Sequence, residues 1–230
     1  MHDVSQPELH VLADPAAAVG ELLAQQARAG GTIVLTGGST PGRAYERAAA
    51  LSPDWHRVSL WWGDERCVPP DDELSNYRLA RETLLDRLGT PPGEVHRIRG
   101  ELAPADAAAD YDAALDGVRI DLLLLGLGSD GHMASLFPGS PQLAVTDRTV
   151  TSGPAGLTPF VDRVTLTLPA LRSAARIVFL VAGADKAPAV EAAFARPVSD
   201  TVPASLIRTG AAVRAEVFLD GAAAGRIGDT

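Results

Sequence analysis

A chain of 230 residues, 46% hydrophobic and 21% charged, has ordinary globular composition and is long enough to bury about 70% of its extended-chain surface without disulfide staples. A formal charge of −9 at pH 7 argues against nucleic acid or an anionic membrane as the main partner. It still allows a small phosphorylated molecule, which a few local cations and backbone N–H groups can hold. The single cysteine, Cys67, precludes an intrachain disulfide and fits a reducing compartment.

The opening MHDVSQPELHVLADP has neither a basic n-region nor an apolar h-region. No apolar run approaches the roughly 18 residues of a spanning helix, so a cytoplasmic chain is expected. Asp14 predicts the cap of a helix over about 15–28. GTIVLT (31–36) reads as a buried strand, and Thr40-Pro41 as N-cap and N1 of a helix to about 51. RVSLWW (57–62) is a second strand, and Ser75 caps a helix over about 76–87. The Pro/Gly-rich stretch 89–104 reads as a long loop. An Ala-rich helix over 104–117 leads into DLLLLGLG, a strand apolar on both faces. A second long loop, 137–160, precedes the alternating VDRVTLTL (161–168). RIVFLVAG (176–183) is a further buried strand, followed by a helix from an Asp185 cap to about Ala195. VRAEVFLD (213–220) closes the set. Apolar strands alternating with helices predict one domain over 1–230, α/β in class, as a three-layer α/β/α arrangement around a mostly parallel, Rossmann-like sheet.

In such a sheet, ligands gather at the carboxyl ends of the strands, and four polar clusters fall there. TGGSTPG (36–42) follows the first strand and opens a helix. Gly37 and Gly38 free the backbone, Ser39 and Thr40 add hydroxyls, and the helix start suits a phosphate. Arg43 lies one turn further in. WWGDERC (61–67) ends the second strand with Asp64, Glu65 and Arg66, where a carboxylate can orient or accept a proton and an arginine can clamp an oxyanion. Cys67 reads as a small buried residue, not an activated thiol.

The third cluster, LGLGSDGHMASLFPG (125–139), contains a literal G-x-G-x-x-G. A dinucleotide fold needs that loop to open a full helix, yet Pro138-Gly139 arrive after about two turns, and the expected acidic residue is missing. The match is a decoy. What remains is a rigid turn presenting Asp130 and His132, the latter a side chain able to take a proton near neutral pH. The fourth, VAGADKAPAV (181–190), holds Lys186, the sole lysine against 19 arginines. A cation in the first turn opposes the helix dipole unless an anion lies before it. The five histidines lack metal-ligand spacing, and no G-x-S-x-G elbow is present; neither a metal nor a cofactor is expected.

The segments LTGGSTPGRAYE, WWGDERCVP with SNYRLARETLL, LLLLGLGSDGHMASLFPG, DRVTLTLPAL, VAGADKAPAV and VPASLI, in this order over residues 9–219, resemble the 6-phosphogluconolactonase family within the wider group of sugar-phosphate isomerases and deaminases. The resemblance implies hydrolysis of 6-phospho-D-glucono-1,5-lactone to 6-phosphogluconate, in the oxidative pentose phosphate pathway; a monomer is expected. It implies a phosphate cradle of Gly37, Gly38, Ser39 and Thr40 with charge from Lys186 and Arg163, and Arg43 as a lesser contributor. His132 would be the general base, with Asp130 or Asp64 orienting it. Arg66 would face the lactone oxygens, and Asn76 a sugar hydroxyl. Glucosamine-6-phosphate deaminase is the nearest rival, but its motif continues into Asn-Glu-Pro-Gly where this chain has Leu136-Phe137-Pro138-Gly139. A non-catalytic sugar-phosphate sensor would keep the phosphate loop and Lys186 without needing His132.

Overall fold

The computed structural model describes residues 6–51, 54–209 and 214–227. Seven parallel strands form the main sheet, in the order β1-β10-β9-β6-β2-β3-β5. They are β1 (Glu8–Val11), β2 (Gly31–Leu35), β3 (Val58–Trp62), β5 (Glu94–Val95), β6 (Leu122–Leu125), β9 (Arg176–Val181) and β10 (Arg214–Leu219). The helices are α1 (Pro15–Ala29), α2 (Ser39–Ala50), α3 (Asn76–Thr83), α4 (Pro104–Leu115), α5 (Leu168–Arg172) and α6 (Ala187–Val190). They flank the sheet and complete the α/β/α architecture. The central strands are apolar throughout because both faces are covered: every residue of β6 is buried, as are the last five of β9.

A second, antiparallel sheet runs β4-β8-β7, from β4 (Asp64–Arg66), β8 (Arg163–Leu166) and β7 (Val150–Gly153). It corrects two expectations. The alternating 161–168 stretch forms a strand outside the main sheet, and the long loop 137–160 contains β7 together with a three-ten turn over Pro141–Ala144. β1 and the two-residue β5 carry too little hydrophobic pattern to stand out from the loops around them.

Several boundaries shift for local reasons. Asp14 caps α1 through the Ala17 N–H, and Ser75 caps α3 through the Arg78 N–H, as read. α2 begins two residues early, with Gly38 at φ 110° as N-cap instead of Thr40. Asp185 does not cap a helix: Gly183, at φ 105°, precedes a three-ten turn over Ala184–Lys186. From there the backbone tightens into α6 and loosens into a π-turn over Glu191–Ala195. α3 stops at Thr83 and gives way to a three-ten turn over Leu85–Arg87. The last predicted strand is β10; its expected first residue, 213, lies outside the described residues.

Candidate active site

The carboxyl ends of β2, β3, β6 and β9 open onto a cavity of about 240 Å³, walled on its far side by the 157–163 segment. That is small for a ligand pocket, suited to one phosphorylated sugar and not to a dinucleotide. Its polar lining includes Asp64, Arg66, Asn76, His132, Arg163 and Lys186. Five segments far apart in sequence therefore converge there.

The imidazole is held from two sides. Asp130 Oδ1 lies 2.6 Å from His132 Nδ1 and also accepts the His132 backbone N–H at 3.1 Å. Burial alone would raise the Asp130 carboxyl, but the hydrogen bond and charge of His132 bring it below the usual carboxylate range. An ionised Asp130 favours the tautomer with the proton on Nδ1, leaving Nε2 free to accept one; Nε2 has no hydrogen-bond partner among the described residues. The turn needs Gly128: a Cβ there would stand 2.0 Å from His132 Nδ1 and 2.6 Å from Asp130 Oδ1. Phe137 packs against the ring at a centroid distance of 4.7 Å. Buried Met133 and Leu136 pair beneath the turn, and Ala204 N donates to Gly131 O at 2.9 Å, which ties the late VPASLI segment to it. Ala134, at φ 48°, stands in the left-handed region, a costly conformation that tertiary packing sustains at functional sites.

Asp130, not Asp64, is thus the partner of His132. Asp64, 7% exposed, accepts Ser135 Oγ at 2.6 Å and Asn76 Nδ2 at 3.3 Å. Ser135 escaped the sequence reading; its only signal was a hydroxyl three residues beyond the histidine. Glu65 points the other way. Its buried carboxylate accepts the Arg66, Asn76 and Tyr77 N–H groups and Ser75 Oγ, at 2.7–3.0 Å. It holds the start of α3, and burial pushes its carboxyl up against those donors.

Arg66 and Arg163 are register partners across β4 and β8. Like charges directly opposed destabilise a sheet, unless an anion sits between them. Arg163 is buried, and only its Nη2 is satisfied, by Pro159 O at 3.0 Å; Nε and Nη1 have no partner. Burial, then the charge of Arg66, depress its basicity. Arg66 donates through Nη1 to Leu74 O. Lys186 lines the cavity and forms no ion pair among the described residues.

In the glycine-rich loop after β2, Thr36, Gly37 and Gly38 line the cavity. Ser39 and Thr40 stand at the start of α2, where no intrahelical carbonyl can reach their N–H groups, but outside the lining. A Cβ on Gly37 would fall 1.9 Å from Asn76 Oδ1, an oxygen that is itself buried and unpartnered. Arg43 is not brought to the site: it is exposed and pairs with Asp14 at 3.2 Å. Cys67 is half-buried, with its thiol pushed up to about 11 by burial and then Asp162, so it is no activated nucleophile. The one His/carboxylate cluster found among the described residues, Glu8, His10 and Glu216, lies away from the cavity on β1 and β10. Arg176 and Arg214 already engage its Glu216.

A sequence model described as glucosamine-6-phosphate isomerases/6-phosphogluconolactonase matches residues 9–216. The chain belongs to this family. Within it, a 6-phosphogluconolactonase of Streptomyces coelicolor is 38% identical over 226 residues, covering 89% of this chain and 85% of that one. One from Nostoc sp. is 40% identical over 179 residues, 74% of this chain and 73% of that one. The solved 6-phosphogluconolactonase of Trypanosoma brucei superposes with a TM-score of 0.80 at 30% identity, covering 97% of this chain and all of that one. A monomeric glucosamine-6-phosphate deaminase shares the fold, with a TM-score of 0.83 at 17% identity. The family takes in both glucosamine-6-phosphate isomerases and 6-phosphogluconolactonase, and the groups in the cavity must separate them. Phe137, 5% exposed and in the lining, follows the Asp130–His132 turn with a benzyl group, which moves no protons.

No helix among the described residues is long and apolar enough to cross a membrane.

Proposed function

We propose that the chain hydrolyses 6-phospho-D-glucono-1,5-lactone to 6-phosphogluconate, with His132 as general base. The observation that carries the reading is the convergence on one cavity of the Asp130–His132 pair, the free ammonium of Lys186 and the unsatisfied guanidinium nitrogens of Arg163. The phosphate is held by Lys186, Arg163 and the N–H groups of the Gly37–Thr40 loop, where the positive end of α2 favours an anion. Gly37, Gly38 and Arg163 do this from the lining, and Ser39 and Thr40 from the rim.

With the phosphate held, the lactone carbonyl is positioned near His132, which supplies orientation the bimolecular reaction lacks. His132 Nε2 takes a proton from water as its oxygen bonds to C1. The tetrahedral oxyanion faces Arg66, whose charge stabilises it. The C1–O5 bond then breaks, and the imidazolium returns its proton to O5. Asp130 stabilises the imidazolium between the two transfers. Asn76 and Asp64, linked to each other and to Ser135, present polar groups to the sugar hydroxyls. The lactone is an activated ester, so this scheme requires no covalent nucleophile.

The groups it uses span both sheets, which supports a single domain. The single unpaired cysteine fits a reducing, cytoplasmic setting.

The test is proton release from freshly made lactone, corrected for spontaneous hydrolysis, beside ammonia release from glucosamine-6-phosphate. Lactone hydrolysis without ammonia is the expected result. Ammonia release would favour the deaminase, and neither activity with retained binding of 6-phosphogluconate would favour a sensor.

A further inference from the structure

Two of the three tyrosines, Tyr45 and Tyr111, are fully buried, and each makes the same unusual contact. The Tyr45 hydroxyl accepts the Thr36 N–H at 2.9 Å and donates to Thr36 O at 2.6 Å. The Tyr111 hydroxyl accepts the Trp62 N–H at 2.8 Å, and its proton is within reach of Trp62 O at 3.1 Å and His96 O at 3.3 Å. In both cases one phenol meets the N–H and the carbonyl of a single backbone residue, as a neighbouring strand would.

The places where this happens are the ends of the two strands that feed the cavity. β6 pairs with β2 only at Ile33 and Val34, so Thr36 lies beyond the last residue of β2 that β6 pairs with. β5 pairs with β3 only at Ser59 and Leu60, and Trp62 likewise outlasts its edge neighbour. Unpaired buried backbone groups are costly, and an unpaired strand end is free to drift. Tyr45 reaches back from α2 itself, so the helix that opens at the phosphate loop also fixes that loop's first residue. Tyr111 reaches from α4 and fixes the residue that precedes Gly63 and the Asp64–Arg66 strand. Burial pushes both hydroxyls well above the ordinary tyrosine range, which keeps them protonated and able to donate.

We propose that Tyr45 and Tyr111 are positioning residues that each set one half of the site, Tyr45 the phosphate loop and Tyr111 the Asp64–Arg66 edge that faces the reacting ester. The inference rests on the lactonase reading for its assay, but it concerns the division of labour within the site.

The experiment compares Tyr45→Phe and Tyr111→Phe on the full chain, using phosphorylated and unphosphorylated gluconolactone. Each change removes one oxygen. Tyr77→Phe is the control, because the Tyr77 hydroxyl makes no hydrogen bond among the described residues. Tyr45→Phe should raise KM for the phosphorylated lactone about 3–10-fold, a part of the worth of the two neutral hydrogen bonds lost, and lower the preference for phosphorylated over unphosphorylated substrate by the same factor. Tyr111→Phe should lower kcat about 3–10-fold on both lactones and leave that preference unchanged. The inference is overturned if both variants change kcat and KM in the same proportion, tracking only their loss of melting temperature. Should a variant fail to accumulate, amide exchange on the wild-type chain decides: the Thr36 and Trp62 N–H groups should exchange as slowly as strand amides, and Thr36 more slowly still with inorganic phosphate. Exchange at loop rates overturns the inference. A wild-type chain without lactonase activity would sink the functional reading instead, and phosphate-dependent protection of Thr36 would still test the Tyr45 half.

Discussion

The chemistry proposed for His132 depends on which of its nitrogens carries the proton, and that is decided by one oxygen of Asp130. Replacing His132 with Ala should lower kcat by about 10²–10⁴-fold, with the affinity for 6-phosphogluconate changed only a few-fold, read by calorimetry; an unchanged kcat would remove His132 from the mechanism. Asp130→Asn should also lower kcat, because a neutral amide no longer stabilises the imidazolium. The sign of the pH effect follows from the lowered Asp130 pKa. Its ionised form stabilises the fold above the unfolded value, near pH 4, and that contribution is lost as pH falls through the lower folded value. The melting temperatures of wild type and Asp130→Asn, separated at pH 7, should therefore converge in acid below about pH 4. Gly128→Ala tests the same turn by crowding, since the added methyl overlaps His132 Nδ1. It should lower kcat at least about 10-fold, as expected for a displaced catalytic group, while circular dichroism shows the fold retained.

Among the elements, α3 shows how a structural carboxylate can sit inside a functional motif. Glu65 lies between Asp64 and Arg66 in sequence, yet its carboxylate binds the start of α3. Glu65→Gln should cost about 2 kcal/mol, because one oxygen becomes an amide that cannot accept its donors, measurable by urea unfolding. Since Asn76 begins that helix, KM should rise as well.

The sequence was most legible where a single element carries its own signal. The caps at Asp14 and Ser75, the all-apolar β6 and the glycine-rich turn around His132 could each be read locally. β8 announced itself by alternation but not its place outside the main sheet, and β4 could not be read at all, because its three residues pair with partners about 100 positions away; β7, inside a Pro/Gly-rich stretch, is a strand only because β8 pairs with it. The same limit governed the site. His132, Lys186 and Arg163 stood out by residue type, but the choice between Asp130 and Asp64 as partner required knowing that Ser135 and Asn76 already occupy Asp64. Arg43 was misleading because its helix position favoured the loop, while Asp14 across α1 offered it a countercharge.

For the molecule as a whole, the cavity lies where the parallel sheet and the small antiparallel sheet meet, so a ligand there bridges both. Binding to the folded state alone adds about 2.7 kcal/mol of stability at a ligand concentration 100 times Kd. At about 2–4 °C per kcal/mol for a chain of this size, 6-phosphogluconate should raise the melting temperature by roughly 5–10 °C at that saturation. Lys186→Ala, assayed at the same concentration, should lose most of that increment.

The composition that singles out Lys186 also turns it into a reporter. Every other basic side chain apart from the histidines is a guanidinium, so a reagent selective for primary amines has one side-chain target in the entire polypeptide, and that target faces the cavity. Reductive methylation with isotope-labelled formaldehyde would thus install a spectroscopic probe at the mouth of the pocket in one step, without mutagenesis, alongside only the α-amine of the chain.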